Sequence, residues 1–126
     1  MKKINVFLSA PYTGMTEEEL EANRKKNVEE LTQIVCERYL VDKSALNIID
    51  MNNTSFNEAS QYTHSELYCI GKCLSALISK CDIIVLGHGW QNSKGCTCEQ
   101  FVSSVYGISC INLETIKNDM EVVCNA

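Results

Sequence analysis

Apolar residues along the chain fall into two alternating kinds of run, short continuous ones and longer ones with helical spacing. Ile4 to Ser9 is nearly unbroken and β-type, closed by Ala10, Pro11, Tyr12, Thr13 and Gly14. It reads as a buried parallel strand entering a loop. Thr16 followed by Glu17, Glu18 and Glu19 is a capping-box start, and Val28, Leu31, Val35 and Tyr39 then set one stripe of a helix ending near Leu40. Leu46 to Met51 reads as a second strand, and the polar, aperiodic stretch Asn52 to Thr63 as a loop long enough to carry function. Leu67, Ile70, Leu74, Leu77 and Ile78 recur at helical spacing, and Asp82 to Leu86 is the strongest buried-strand run in the chain. Gly87 to Gly95 is a glycine-rich loop; Cys98, Phe101, Val102 and Val105 mark a third helix; Ile108 to Leu113 is a fourth strand. Glu114 to Ala126 has room for a final helix.

Strands alternating with helices across short turns predict an α/β fold: a Rossmann-like, flavodoxin-like parallel sheet of four to five strands with helices on both faces. One proline, no linker and no internal repeat predict a single domain over residues 1–126. Such sheets bind ligands at the carboxyl ends of their strands. That edge gathers Ser9 to Gly14, the loop after Met51, and His88 to Glu99.

Eleven basic against sixteen acidic residues give a net charge of −5, and the largest basic cluster is Arg24, Lys25 and Lys26. This argues against a polymeric nucleic-acid partner. An anionic small ligand remains compatible, because a helix N-terminus supplies local positive potential. Met1 to Phe7 is too short and too charged for a secretory leader or a membrane span, which predicts a cytosolic protein. The eight cysteines, 36, 69, 73, 81, 96, 98, 110 and 124, sit mostly inside apolar segments and read as free, mostly buried thiols. Their C-x3-C and C-x-C spacings, with only His64 and His88 to assist, disfavour a metal site.

Gly87 and Gly89 are not a dinucleotide fingerprint, because the third glycine would fall on Asn92, and no P-loop lysine pattern is present. The informative constellation is the strand-exit loop Gly89, Trp90, Gln91, Asn92, Ser93, Lys94, Gly95, leading to Glu99 in what reads as the first turn of a helix. Backbone amides there favour an ionised carboxylate. Such a group attacks an anomeric carbon, accepts hydrogen bonds from ribose hydroxyls, or only caps its own helix. The residues alone leave these open.

Ser9, Ala10, Pro11, Tyr12, Thr13 and Gly14 after the first strand, with Cys81, Asp82 through Leu86, Gly89, Trp90, Ser93, Gly95 and Glu99, resemble the nucleoside 2-deoxyribosyltransferase-like superfamily over roughly residues 4 to 113. That superfamily includes deoxynucleoside 5′-monophosphate N-glycosidases and small phage and bacterial members of unknown function. The resemblance implies Glu99 as the nucleophile that forms a glycosyl ester as the base departs, with Tyr12 orienting the sugar. It implies Ser93 as a 5′-phosphate contact and a substrate pocket formed by Ser9, Pro11, Thr13, Gly14, His88, Gly89, Trp90, Ser93 and Gly95. No metal or organic cofactor is implied, and the expected assembly is a homodimer.

One departure stands out. The family's usual aspartate, which helps protonate the leaving base, aligns with Leu74, and leucine cannot donate a proton. Glu66, Glu58 and Asp50 are substitutes to consider. The sequence therefore carries three readings: a nucleoside or nucleotide N-glycosidase or 2-deoxyribosyltransferase-like enzyme, a catalytically weak nucleotide-binding protein of the same fold, and a structural module.

Overall fold

The computed structural model describes residues 3–12, 14–50, 61 and 63–116. Four strands, β1 (Ile4–Ser9), β2 (Leu46–Asp50), β3 (Ile83–Leu86) and β4 (Ser109–Asn112), form one parallel sheet in the order β2-β1-β3-β4. Helices α1 (Glu17–Tyr39), α2 (Ser65–Lys80) and α3 (Lys94–Tyr106) connect them. This is the expected α/β, flavodoxin-like arrangement with four strands. Thr13, Met51, Glu58 and Cys124, and most of the loop from Asn52 and of the segment after Glu114, lie outside the described residues.

Alternation along β1 divides the core. Val6, Leu8 and Ala10 face α1 and pack with Leu31, Val35, Val85 and Ile111. Phe7 faces the other way and packs with Leu77, Ile84 and Leu86, with Leu74, Cys73 and Trp90 around them. Ser9 shares the Phe7 side by the two-residue period of a strand, which sets the position of the site below.

The predicted capping box is present: Thr16 Oγ1 accepts from the Glu19 amide at 3.2 Å, and Glu19 Oε1 accepts from the Thr16 amide at 3.3 Å. Two expected stripes need correction. On α3 the sheet buries Cys96, Glu99 and Ser103, while Phe101 and Val105 are 66% and 59% exposed and Cys98 is exposed. Positions 96, 99 and 103 are as helical in period as 98, 101, 102 and 105, and the helix turns Cys96, Ser103 and the Glu99 carboxyl toward the sheet. On α2, Leu67 points to solvent, Leu74 and Leu77 pack in the core, and the side chain of Ile78 is outside the described residues.

The thiols also differ from expectation. Seven described cysteines are free, but only Cys96 is buried; Cys36, Cys69, Cys73 and Cys81 are half-buried, and Cys98 and Cys110 are exposed. No described helix is long and apolar enough to cross a membrane.

Candidate active site

Parallel pairing puts Ser9, the last residue of β1, beside Leu86, the last of β3, at the carboxyl edge of the sheet. The chain leaving β3 passes Gly87 to Asn92 and enters α3 at Ser93, whose Oγ accepts from the Cys96 amide at 3.3 Å as the N-cap. Two turns of helix then bring Glu99 over Ser9. The Ser9 hydroxyl donates to Glu99 Oε1 at 2.9 Å, and both side chains are buried, Glu99 being 6% exposed.

Glu99 Oε2 is buried without a hydrogen-bond partner among the described residues. Burial raises the carboxyl to about 7, a rise that the Ser9 hydroxyl partly offsets. This corrects the expectation of a first-turn carboxylate held ionised by the helix end. Glu99 is the sixth residue of α3, beyond the free amides of the first turn, so desolvation outweighs the dipole. A carboxyl poised near neutrality serves as nucleophile or acid–base group with little further tuning.

Glu99 opens on a cavity of about 40 Å³ lined by Ser9, Ala10, Tyr12, Cys69, Ile70, Cys73, Ser93, Gly95 and Cys96, together with Phe7 and Leu8. A volume of that size holds roughly three water molecules, so it admits only the reacting edge of a larger ligand. Ile70 also lines an open groove of about 420 Å³ over the first turn of α2, with Thr63, His64, Ser65, Glu66 and Leu67. Tyr12 is 41% exposed at the cavity mouth; burial first, then Cys73, Cys69, Glu99 and Cys96, push its phenol up. Burial and the Glu99 charge push Cys73 up to about 12, so its thiol keeps its proton at neutral pH. Burial raises the Cys96 thiol, and the neighbouring Ser9 and Ser93 hydroxyls offset part of the rise.

The structure thus brings Ser9, Tyr12, Ser93, Gly95 and Glu99 together, and it holds other predicted site residues apart. His88 turns to the α1 side, where its ring pairs with Glu30 and its amide donates to Asn27 Oδ1 at 3.0 Å. The Gly89 amide donates to Glu114 Oε1 at 2.8 Å, a contact that with Gln91 holds the Glu114 carboxyl below its usual range. Trp90 packs its ring beside Phe7, Leu77, Ile84 and Leu86. Pro11 sits where a Gly89 side chain would reach, its Cγ 3.4 Å from an added Cβ, so the two loops touch there. Gly14 is exposed, with φ +79°. Asp50, one possible acid, stands in register with Leu8 and pairs with Arg24 at 2.9 Å.

The profile of one protein family, a domain of unknown function (DUF4406), matches residues 4–112. The chain belongs to that family. Comparison with curated proteins and with solved structures gives no match in either. The DUF4406 match runs from the start of β1 to the end of β4, so it takes in every element that lines the cavity.

Two contributors to this site, and one contact that shapes the loop beside it, were missed by sequence reasoning. Cys69 and Cys73 are four apart and so share a face of α2, a signal present in the sequence but assigned there to packing. Glu114 gave no local signal, because its role depends on Asn112, whose side chain caps the turn after β4 and aims Glu114 at Gly89. Among the described residues no group of three or more His, Cys, Asp and Glu is placed to hold a metal ion.

Proposed function

We propose that the protein cleaves or transfers the glycosidic bond of a nucleoside or nucleotide, with Glu99 as the nucleophile at the anomeric carbon. The observation that carries this reading is the Glu99 carboxyl itself: buried, held at one oxygen by Ser9, and unpartnered at the other among the described residues, beside a cavity. An N-cap hydroxyl accepts one amide and still has its own proton to donate, so Ser93 and the first amides of α3 suit a 5′-phosphate. Tyr12 orients the sugar at the cavity mouth, and the groove over α2 receives the part of the ligand that the cavity cannot hold.

A second reading, a nucleotide-binding protein with weak or no turnover, is favoured by one observation: Leu74 is packed in the core and offers no proton. Under either reading the protein works in the cytosol on a small-molecule ligand without a cofactor. It works as a homodimer, for which Phe101 and Val105 on α3 supply exposed apolar surface; light scattering on the purified protein reads that assembly.

The test is a panel of nucleosides and nucleoside 5′-monophosphates, ribo and deoxy, followed by chromatography for free base and by thermal shift for binding. Base release abolished by Glu99→Ala supports the enzyme. Thermal shifts without base release support the binder, and neither response in any member contradicts both.

A further inference from the structure

Departure of a base from the anomeric carbon leaves an electron pair on nitrogen, and an unactivated base leaves well only if that nitrogen is protonated. Among the described residues that line the cavity, the Tyr12 phenol and the Ser93 hydroxyl are taken by the sugar and the 5′-phosphate under the reading above. The Ser9 hydroxyl is committed to Glu99. Cys96 is on α3, whereas the groove that would take the base lies on α2. Asp50 lies on the α1 side in its pair with Arg24, and Leu74 lies in the core.

What α2 turns to the cavity is Cys69, Ile70 and Cys73, and the adjoining groove lies on the same helix, one to two turns toward its N-terminus. A ligand with its sugar at Glu99 and its base in that groove runs its glycosidic nitrogen along this thiol-bearing face. Of the two thiols, Cys73 is the one that also packs against the Phe7 cluster, and it lines the same small cavity as Glu99.

Resting on the N-glycosidase reading above, we infer that Cys73 is the proton donor to the leaving base. Glu99 forms a bond to the anomeric carbon, the carbon–nitrogen bond breaks with its electron pair going to nitrogen, and that nitrogen takes the proton from Cys73 Sγ. Water then attacks the same carbon and gives a proton to the thiolate, and Glu99 leaves as carboxylate. Atoms and charge balance with water as the one co-reactant. Ester formation also removes the Glu99 charge that holds the thiol proton, so Cys73 becomes a better acid as the bond to Glu99 forms.

The test compares, for each protein, the rate on an unactivated purine deoxynucleoside 5′-monophosphate with that on a pyridinium-leaving analogue that needs no protonation. Cys73→Ala is expected to lower the ratio of the two rates by about 100-fold, the low end of general-acid catalysis for so weak an acid. Cys73→Ser keeps the size of the side chain and is expected to lower the ratio as far, which covers a misfolded alanine variant; Cys73→Asp should raise it. A merely structural role slows both substrates together and leaves the ratio unmoved. An unchanged ratio in the alanine and serine variants, or a fall confined to Glu66→Gln, overturns Cys73 while the N-glycosidase reading stands. Wild-type protein that cleaves neither substrate overturns both.

Discussion

Ser9 Oγ, at the end of β1, donates to Glu99 Oε1 at 2.9 Å across a sequence separation of 90 residues. Among the described residues it is the one hydrogen bond made to a carboxyl that burial has lifted to about 7. A donor to the charged form favours that form. Ser9→Ala is therefore expected to raise the Glu99 carboxyl further above 7, read by its carboxyl ¹³C shift across a pH titration. A titration unchanged or moved down would show that Ser9 does not hold the charge.

The raised value also fixes a stability trend. An unfolded glutamate titrates near 4.5 and Glu99 near 7, so the native state holds the proton over a window where the unfolded chain has lost it. Its contribution is fully present below pH 4.5 and is lost as pH rises through 7. At about 1.4 kcal/mol per pH unit, the loss amounts to about 3 kcal/mol at most. Glu99→Gln carries no such charge, so it is expected to melt above wild type at pH 8, with the gap closing toward pH 4.5. Parallel pH dependence of the two melting curves would contradict the buried, neutral carboxyl.

On the α1 side, a Cβ at Gly87 would lie 2.7 Å from Asn27 Nδ2 and 3.1 Å from the Ala10 Cβ. Asn27 is fully buried and its Oδ1 holds the His88 amide, so it has nowhere to retreat. Gly87→Ala is expected to cost about 1–3 kcal/mol by overpacking, seen as a lower denaturation midpoint at unchanged m-value. A neutral substitution would mean that α1 shifts freely against the loop.

The parts of this structure that were legible in the sequence are those decided locally. The Ile83 to Leu86 run is buried on both faces and so is apolar throughout, and Thr16 with Glu19 closes its own cap. Ser9, Tyr12, Ser93 and Glu99 were legible as a set because strand–helix alternation sends every strand exit to one edge. What could not be read was which face each helix turns inward. The α3 stripe fails because the carboxyl-bearing Glu99 is buried where Phe101 is not, which hydrophobic period cannot anticipate. Asn27, Glu30 and Glu114 hold the β3 exit loop through contacts 25 to 61 residues apart, beyond the reach of any local pattern.

The central claim is that Glu99 attacks the anomeric carbon, and capture of the ester tests it most directly. A 2-fluoro-substituted deoxyribosyl 5′-phosphate with a good leaving group slows breakdown of a glycosyl ester more than its formation, so intact-protein mass spectrometry reads the adduct. The expected result is a mass gain of one fluorinated sugar phosphate, located by peptide fragmentation on Glu99 and missing from Glu99→Gln. Base release without an adduct, or an adduct on another residue, would contradict the assignment.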